Sequence, residues 1–173
     1  MRIPDDLTED ELARLFADLG ADDPRSYARS QKREGINHLH GFLFLREAWK
    51  LIVADGDTEW IERQIASLER DDRGPYAGIG RSLARLKAAG ADPQDIGEVV
   101  RGMQAEFLFG LLYMIDDPDF GDERIDHIGF GLFEADTDRE EPGARIGSLY
   151  EEVLATDPTG REMRSRDLGQ KIE

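Results

Sequence analysis

The chain has 173 residues, no cysteine, 38 acidic against 22 basic side chains and a net charge of -16. Without cysteine there is no disulfide framework, thiolate nucleophile or thiolate metal site, which fits a reducing compartment. The acidic surplus disfavours general binding to nucleic-acid backbones and favours a basic protein partner. The length suits one mainly α-helical domain over residues 1–160 with a polar tail at 161–173. The first residues lack a signal-peptide core, and the longest uncharged apolar run, Phe107 to Ile115, is too short to span a bilayer. A cytoplasmic protein with no membrane association is therefore expected, and its oligomeric state stays open.

The first helix announces itself through Thr8-Glu9-Asp10-Glu11, a capping box, with Leu7 and Leu12 as its staple. Leu12, Leu15, Phe16 and Leu19 form one apolar stripe, and Gly20 supplies a left-handed stop. Asp23 and Pro24 open a second helical region that reaches toward Val53, with a bend at Gly35. Phe42, Leu45, Trp49, Ile52 and Val53 make its apolar face. Asp57 caps a short helix with Ile61, Ile65 and Leu68 inward; the next helix turns Tyr76, Ile79, Leu83 and Leu86 inward and stops at Gly90.

A long helix over about 93–116 is expected at the centre of the bundle. Its first half is amphipathic, while Leu108 to Ile115 leave no polar face and imply cover on every side. An acidic connector comes next. Ile128, Phe130 and Leu132 alternate with glycines, which predicts an extended segment near 128–135. Ile146, Leu149, Tyr150, Val153 and Leu154 predict a last short helix, and Asp157-Pro158-Thr159-Gly160 a turn.

Leu-Ala-Arg-Leu followed by Gly-Ala-Asp, a proline and Phe-Leu-Phe occurs twice, over 12–44 and 83–109. The two stretches read as one helical hairpin written twice. Shared cap chemistry between unrelated helices is the alternative.

Local motifs for chemistry are sparse. His38 and His40, two positions apart on a helix, point about 200° apart and do not share a metal easily. His38 lies on the apolar face and reads as a core histidine, with Glu34 placed to pair with it at i, i+4. Asp136-Thr137-Asp138 begins like a calcium loop, but the glycine falls in the wrong place. Phosphate loops, zinc-protease helices and nucleophile elbows do not occur. Ser26, Ser30, Thr137 and Ser148 have no histidine close in sequence to activate them. Arg25, Arg29, Lys32 and Arg33 form a basic stripe that suits docking on the protein's own acidic segments.

The segments Val99–Glu106, Gly131–Asp136 and Thr156–Arg164 resemble those of a group of small bacterial proteins with no assigned activity, over about residues 90–165. Membership implies no reaction. The leading expectation is a non-catalytic binding or regulatory module, for example of the immunity-protein type. It presents Asp119, Asp122, Glu123, Asp136, Asp138 and Glu140 to a basic partner, with no metal or cofactor. The alternative is a small helical-bundle enzyme or ligand-binding protein with a pocket at Glu34, His38, Glu106 and His127. A mimic of nucleic-acid charge is a third reading, requiring acids at phosphate-like intervals along one face.

Overall fold

Thr8 and Glu11 close their capping box in the computed structural model: the Glu11 carboxylate accepts from the Thr8 amide at 2.9 Å, and Thr8 Oγ1 accepts from the Glu11 amide at 3.3 Å. The structure describes residues 7–135 and 142–164. Among them the fold is mainly helical, with seven α-helices, one short 3-10 turn and one two-stranded sheet. They group into two units, one running through Trp49 and resuming at Phe107, the other spanning Lys50–Glu106.

In the first unit, α1 (Glu9–Asp18) buries Leu12 and Phe16 against α2 (Pro24–Glu34). Asp23 caps α2 by accepting from the Ser26 amide at 3.1 Å. The second helical region does not bend at Gly35 but breaks there. Gly35 takes φ +73, a left-handed conformation that ends α2, and α3 (His38–Trp49) starts three residues later. This break lets α3 fold back on α1 and α2, where Leu39 and Phe42 join the core with Leu12, Phe16 and Ala28.

Further along the same unit, α7 (Leu149–Glu152) packs on α3 through Leu149 and Val153. The approach is close: a Cβ on Gly41 would stand 3.0 Å from a Leu149 methyl. Trp49 Nε1 donates to the Val153 carbonyl and Thr156 Oγ1, both at 3.2 Å, tying the end of α3 to the chain after α7. The extended segment predicted near 128–135 narrows to β1 (Leu132–Phe133). Its partner β2 (Arg145–Ile146), placed by sequence in the last helix, runs antiparallel, with Leu132 opposite Ile146.

The second unit holds α4 (Glu59–Ala66), the 3-10 turn Ser67–Glu69, α5 (Ala77–Ala88) and the start of α6 (Pro93–Asp116). The inward face of α5 differs from the expected one. Ala77, Gly80 and Leu83 are buried, whereas Tyr76, Ile79 and Leu86 are exposed. The cause is interhelical distance: a Cβ on Gly80 would lie 2.6 Å from the Gln64 carbonyl oxygen, so at the closest approach to α4 only glycine fits. On α6, the buried Arg101 donates to the Val53 carbonyl at 2.8 Å, and Gln104 accepts from the Val53 amide at 2.8 Å. Together they satisfy both backbone groups of Val53.

The two candidate hairpin copies share their punctuation. Gly20 and Gly90 both adopt positive φ; Gly20 N bonds Ala17 O and Ala21 N bonds Phe16 O, while Gly90 N bonds Lys87 O and Ala91 N bonds Leu86 O. Both are the same Schellman stop. The helices that come after these stops differ in length, 11 residues in one case and 24 in the other.

Helix α6 has the expected bounds. Among the described residues its cover is one-sided: Leu112 is buried to 1% exposure, but Phe107 is 72% exposed and Phe109, Leu111, Tyr113 and Met114 are exposed as well.

Candidate functional site

Two features of the first unit have functional character, a small polar cluster in its interior and an apolar, acidic surface. The cluster forms because the break at Gly35 reverses the chain, so that the first turn of α3 faces the last turns of α2. His38 Nε2 lies 2.9 Å from Ser30 Oγ, and the His38 ring meets the Tyr27 ring edge-on at 5.3 Å. Tyr27 Oη donates to Glu152 Oε2, on α7, at 2.7 Å. Tyr27, His38 and Glu152 border a cavity of about 40 Å³ between α2, α3 and α7.

Electrostatics favour the neutral forms of His38 and Tyr27. Burial holds the His38 imidazole below its ordinary value of 6.5, with Glu152 and Glu34 opposing the shift. Burial, and then the hydrogen bond to the Glu152 carboxylate, push the Tyr27 phenol far above its ordinary value of 10.0. A neutral imidazole beside a serine hydroxyl is the first half of an activated nucleophile. The second half, an acid bonded to the other ring nitrogen, does not occur at His38 among the described residues. With Ser30 and Tyr27 satisfying and packing its ring, the histidine holds α2 against α3.

His40 leaves α3 in another direction. Its Nδ1 stands 2.7 Å from Asn37 Oδ1 and 3.3 Å from Glu134 Oε1, while Asn37 Nδ2 donates to the same Glu134 oxygen at 2.5 Å. The trio fastens α3 to the residue following β1.

The four residues named as a pocket are dispersed. Glu34 is exposed at the end of α2 and His38 lies beside the cavity. Glu106 is exposed in the second unit. His127 is exposed, with Nδ1 3.9 Å from Asp126 Oδ1. The residues the fold does bring to His38 are Tyr27, Ser30 and Glu152. Sequence reading set Ser30 aside for want of a neighbouring histidine, yet a tertiary reversal over eight positions makes His38 that neighbour. Groups of three or more side chains able to hold a metal ion do not occur among the described residues.

The second feature runs from Phe107 to Phe133. Of the nineteen large apolar side chains exposed among the described residues, ten lie in this stretch, a concentration that sets it apart from scattered surface apolars. Rings organise parts of it: Tyr113 and Phe109 meet Tyr150 edge-on at 5.1 and 5.8 Å, and Phe120 meets Phe130 at 5.9 Å. The same stretch carries six acids and one arginine.

The acids are not equivalent. Asp119 accepts from the Gly121 amide at 2.8 Å, and Asp122 accepts from the Arg124 amide at 3.0 Å and from its guanidinium at 2.5 Å. Arg124 holds the Asp122 carboxyl below its ordinary value. Both shape the loop. Glu123 and Asp126 are exposed. Asp136, Asp138 and Glu140 lie outside the described residues.

Comparison with protein-family models, with curated proteins and with solved structures finds no match. Among the described residues no helix is long and apolar enough to cross a membrane.

Proposed function

We propose that the chain is a non-catalytic, cytoplasmic protein-binding module, and that its contact surface is the exposed apolar and acidic stretch between Phe107 and Phe133. One observation carries the reading: ten exposed large apolar side chains accompany six acids in 27 consecutive residues of one unit. Protein interfaces combine an apolar, aromatic centre with a polar rim, and this composition matches both parts. Phe107, Phe130 and Phe133 supply anchors, while Glu123 and Asp126 supply rim charge.

Charge selects the occupant. A second copy would bring six acids against six acids, whereas a partner with a basic rim meets opposite charge and is steered toward the surface. The partner class is therefore a protein with an apolar centre and a lysine- or arginine-rich border. An immunity-type role toward a basic protein is one instance of that class.

The test is affinity capture from native lysate with the parent and two variants, Phe107→Ser with Phe130→Ser, and Glu123→Gln with Asp126→Asn. A basic protein retained by the parent, lost with the first variant and weakened by salt and by the second supports the reading. Captured proteins whose retention ignores both variants and ionic strength overturn it.

A further inference from the structure

A second cavity in the first unit, about 230 Å³, opens beside the first where the loop after α1 faces the turn after α7. It is smaller than the roughly 300–1,000 Å³ pockets of drug-sized ligands and suits a small molecule. Its walls are of two kinds. Leu19, Phe42 and the Tyr27 ring give an apolar floor, and Ala155 and Pro158 close the opposite side. Two opposite charges line the same space: Asp22, from the loop after α1, and Arg46, one turn beyond Phe42 on α3.

The remaining polar groups are already engaged. Asp157 is buried and accepts from Thr159 N, Thr159 Oγ1 and Met163 N, at 3.1, 2.7 and 3.0 Å. Thr156 Oγ1 is taken by Trp49 and by the α7 carbonyls. Among the described residues Arg46 meets its helix neighbour Glu47, through Nε at 3.6 Å, a contact that does not use the outer guanidinium nitrogens. Among the described residues no cation pairs with Asp22.

We infer that this cavity is a binding site for a small zwitterion with an apolar body, of which a free apolar amino acid is the simplest. Its ammonium meets Asp22, its carboxylate meets Arg46, and its side chain covers Leu19, Phe42 and the Tyr27 ring. The two opposite charges exclude the simpler ligands. A plain anion is repelled by Asp22 as it reaches Arg46, a plain cation meets the reverse, and a neutral apolar molecule engages neither charge. A zwitterion satisfies both at once, with charge-assisted bonds at each end. The site is separate from the surface between Phe107 and Phe133.

Titration of the isotope-labelled full chain, followed by amide shifts, tests the inference with leucine and phenylalanine as probes. Saturable shifts at Gly20, Ala155 and Thr159 are expected. N-acetyl-leucine, without the ammonium, and leucinamide, without the carboxylate, should each bind about tenfold or more weakly. Arg46→Gln should remove the preference for leucine over leucinamide, and Asp22→Asn the preference over N-acetyl-leucine. Because the two analogues probe the unaltered protein, a misfolded variant does not blunt the test. If neither amino acid gives saturable shifts at the cavity, or if leucine and both analogues bind alike, the site as assigned does not exist.

Discussion

Two substitutions five residues apart on α6, Leu112→Ala and Phe107→Ala, separate the buried side of this helix from its exposed side. Leu112 is 1% exposed. Truncation to alanine removes hydrocarbon worth about 0.8 kcal/mol per methylene, roughly 2 kcal/mol in all, and leaves a cavity that raises the cost to about 3–5 kcal/mol. That is a large share of the roughly 5–15 kcal/mol that holds a domain folded. Phe107 is larger but 72% exposed. The covered remainder of a side chain of about 200 Å² is roughly 50 Å², worth about 1 kcal/mol, and the better helix propensity of alanine returns about half of it. The net effect should lie within about 0.5 kcal/mol. Urea unfolding followed by Trp49 fluorescence in a Trp60→Phe background reads the unit that contains both residues. If Phe107→Ala costs as much as Leu112→Ala, the face is covered, and the proposed binding surface is not available.

Two more outcomes can be measured on the isolated protein. Gly80→Ala should destabilise by about 1–3 kcal/mol, since its new Cβ meets the Gln64 carbonyl at 2.6 Å, whereas Gly102→Ala, with nothing within 4 Å, should gain up to about 1 kcal/mol; thermal melts by circular dichroism order the pair. The pH dependence of stability carries the signature of His38. Its folded-state pKa lies below the ordinary 6.5, so the unfolded chain binds the proton more readily, and the contribution is present above pH 6.5 and lost as pH falls below it. Urea midpoints of His38→Gln should therefore fall less steeply than the parent's on the acid side of pH 6.5, and an unchanged slope refutes the assignment.

Local chemistry was legible and tertiary chemistry was not. The capping box at Thr8, the stops at Gly20 and Gly90 and the bounds of α6 depend on residues within a few positions of one another, and each formed as its spacing implied. The α5 face was misread because a hydrophobic pattern ranks bulk. Gly80 is inward for lack of bulk, since backbone contact with α4 excludes Ile79 and Leu86 from that face. The interior cluster was invisible for a related reason. Ser30 and His38 meet only once Gly35 turns left-handed, and the bond between Tyr27 and Glu152 joins positions 125 residues apart.

The long helix carries the same lesson to function. A run that is apolar all round implies that water is removed from every side, but it does not say which molecule removes it. Reading Leu108 to Ile115 as an internal core assigned that task to the chain's own helices. The structure assigns them only the side of Leu112 and Ala105, and leaves Phe107, Leu111 and Met114 facing outward beside an acidic loop. On a folded protein of this size, such a concentration of exposed apolar surface favours aggregation unless a partner covers it or charge keeps copies apart. In the proposed function the acids interleaved from Asp116 to Asp126 take the second role, and by the same repulsion they disfavour a second copy as the cover. On the proposed reading, burying Phe107 calls for a different molecule, one whose basic rim turns that repulsion into attraction.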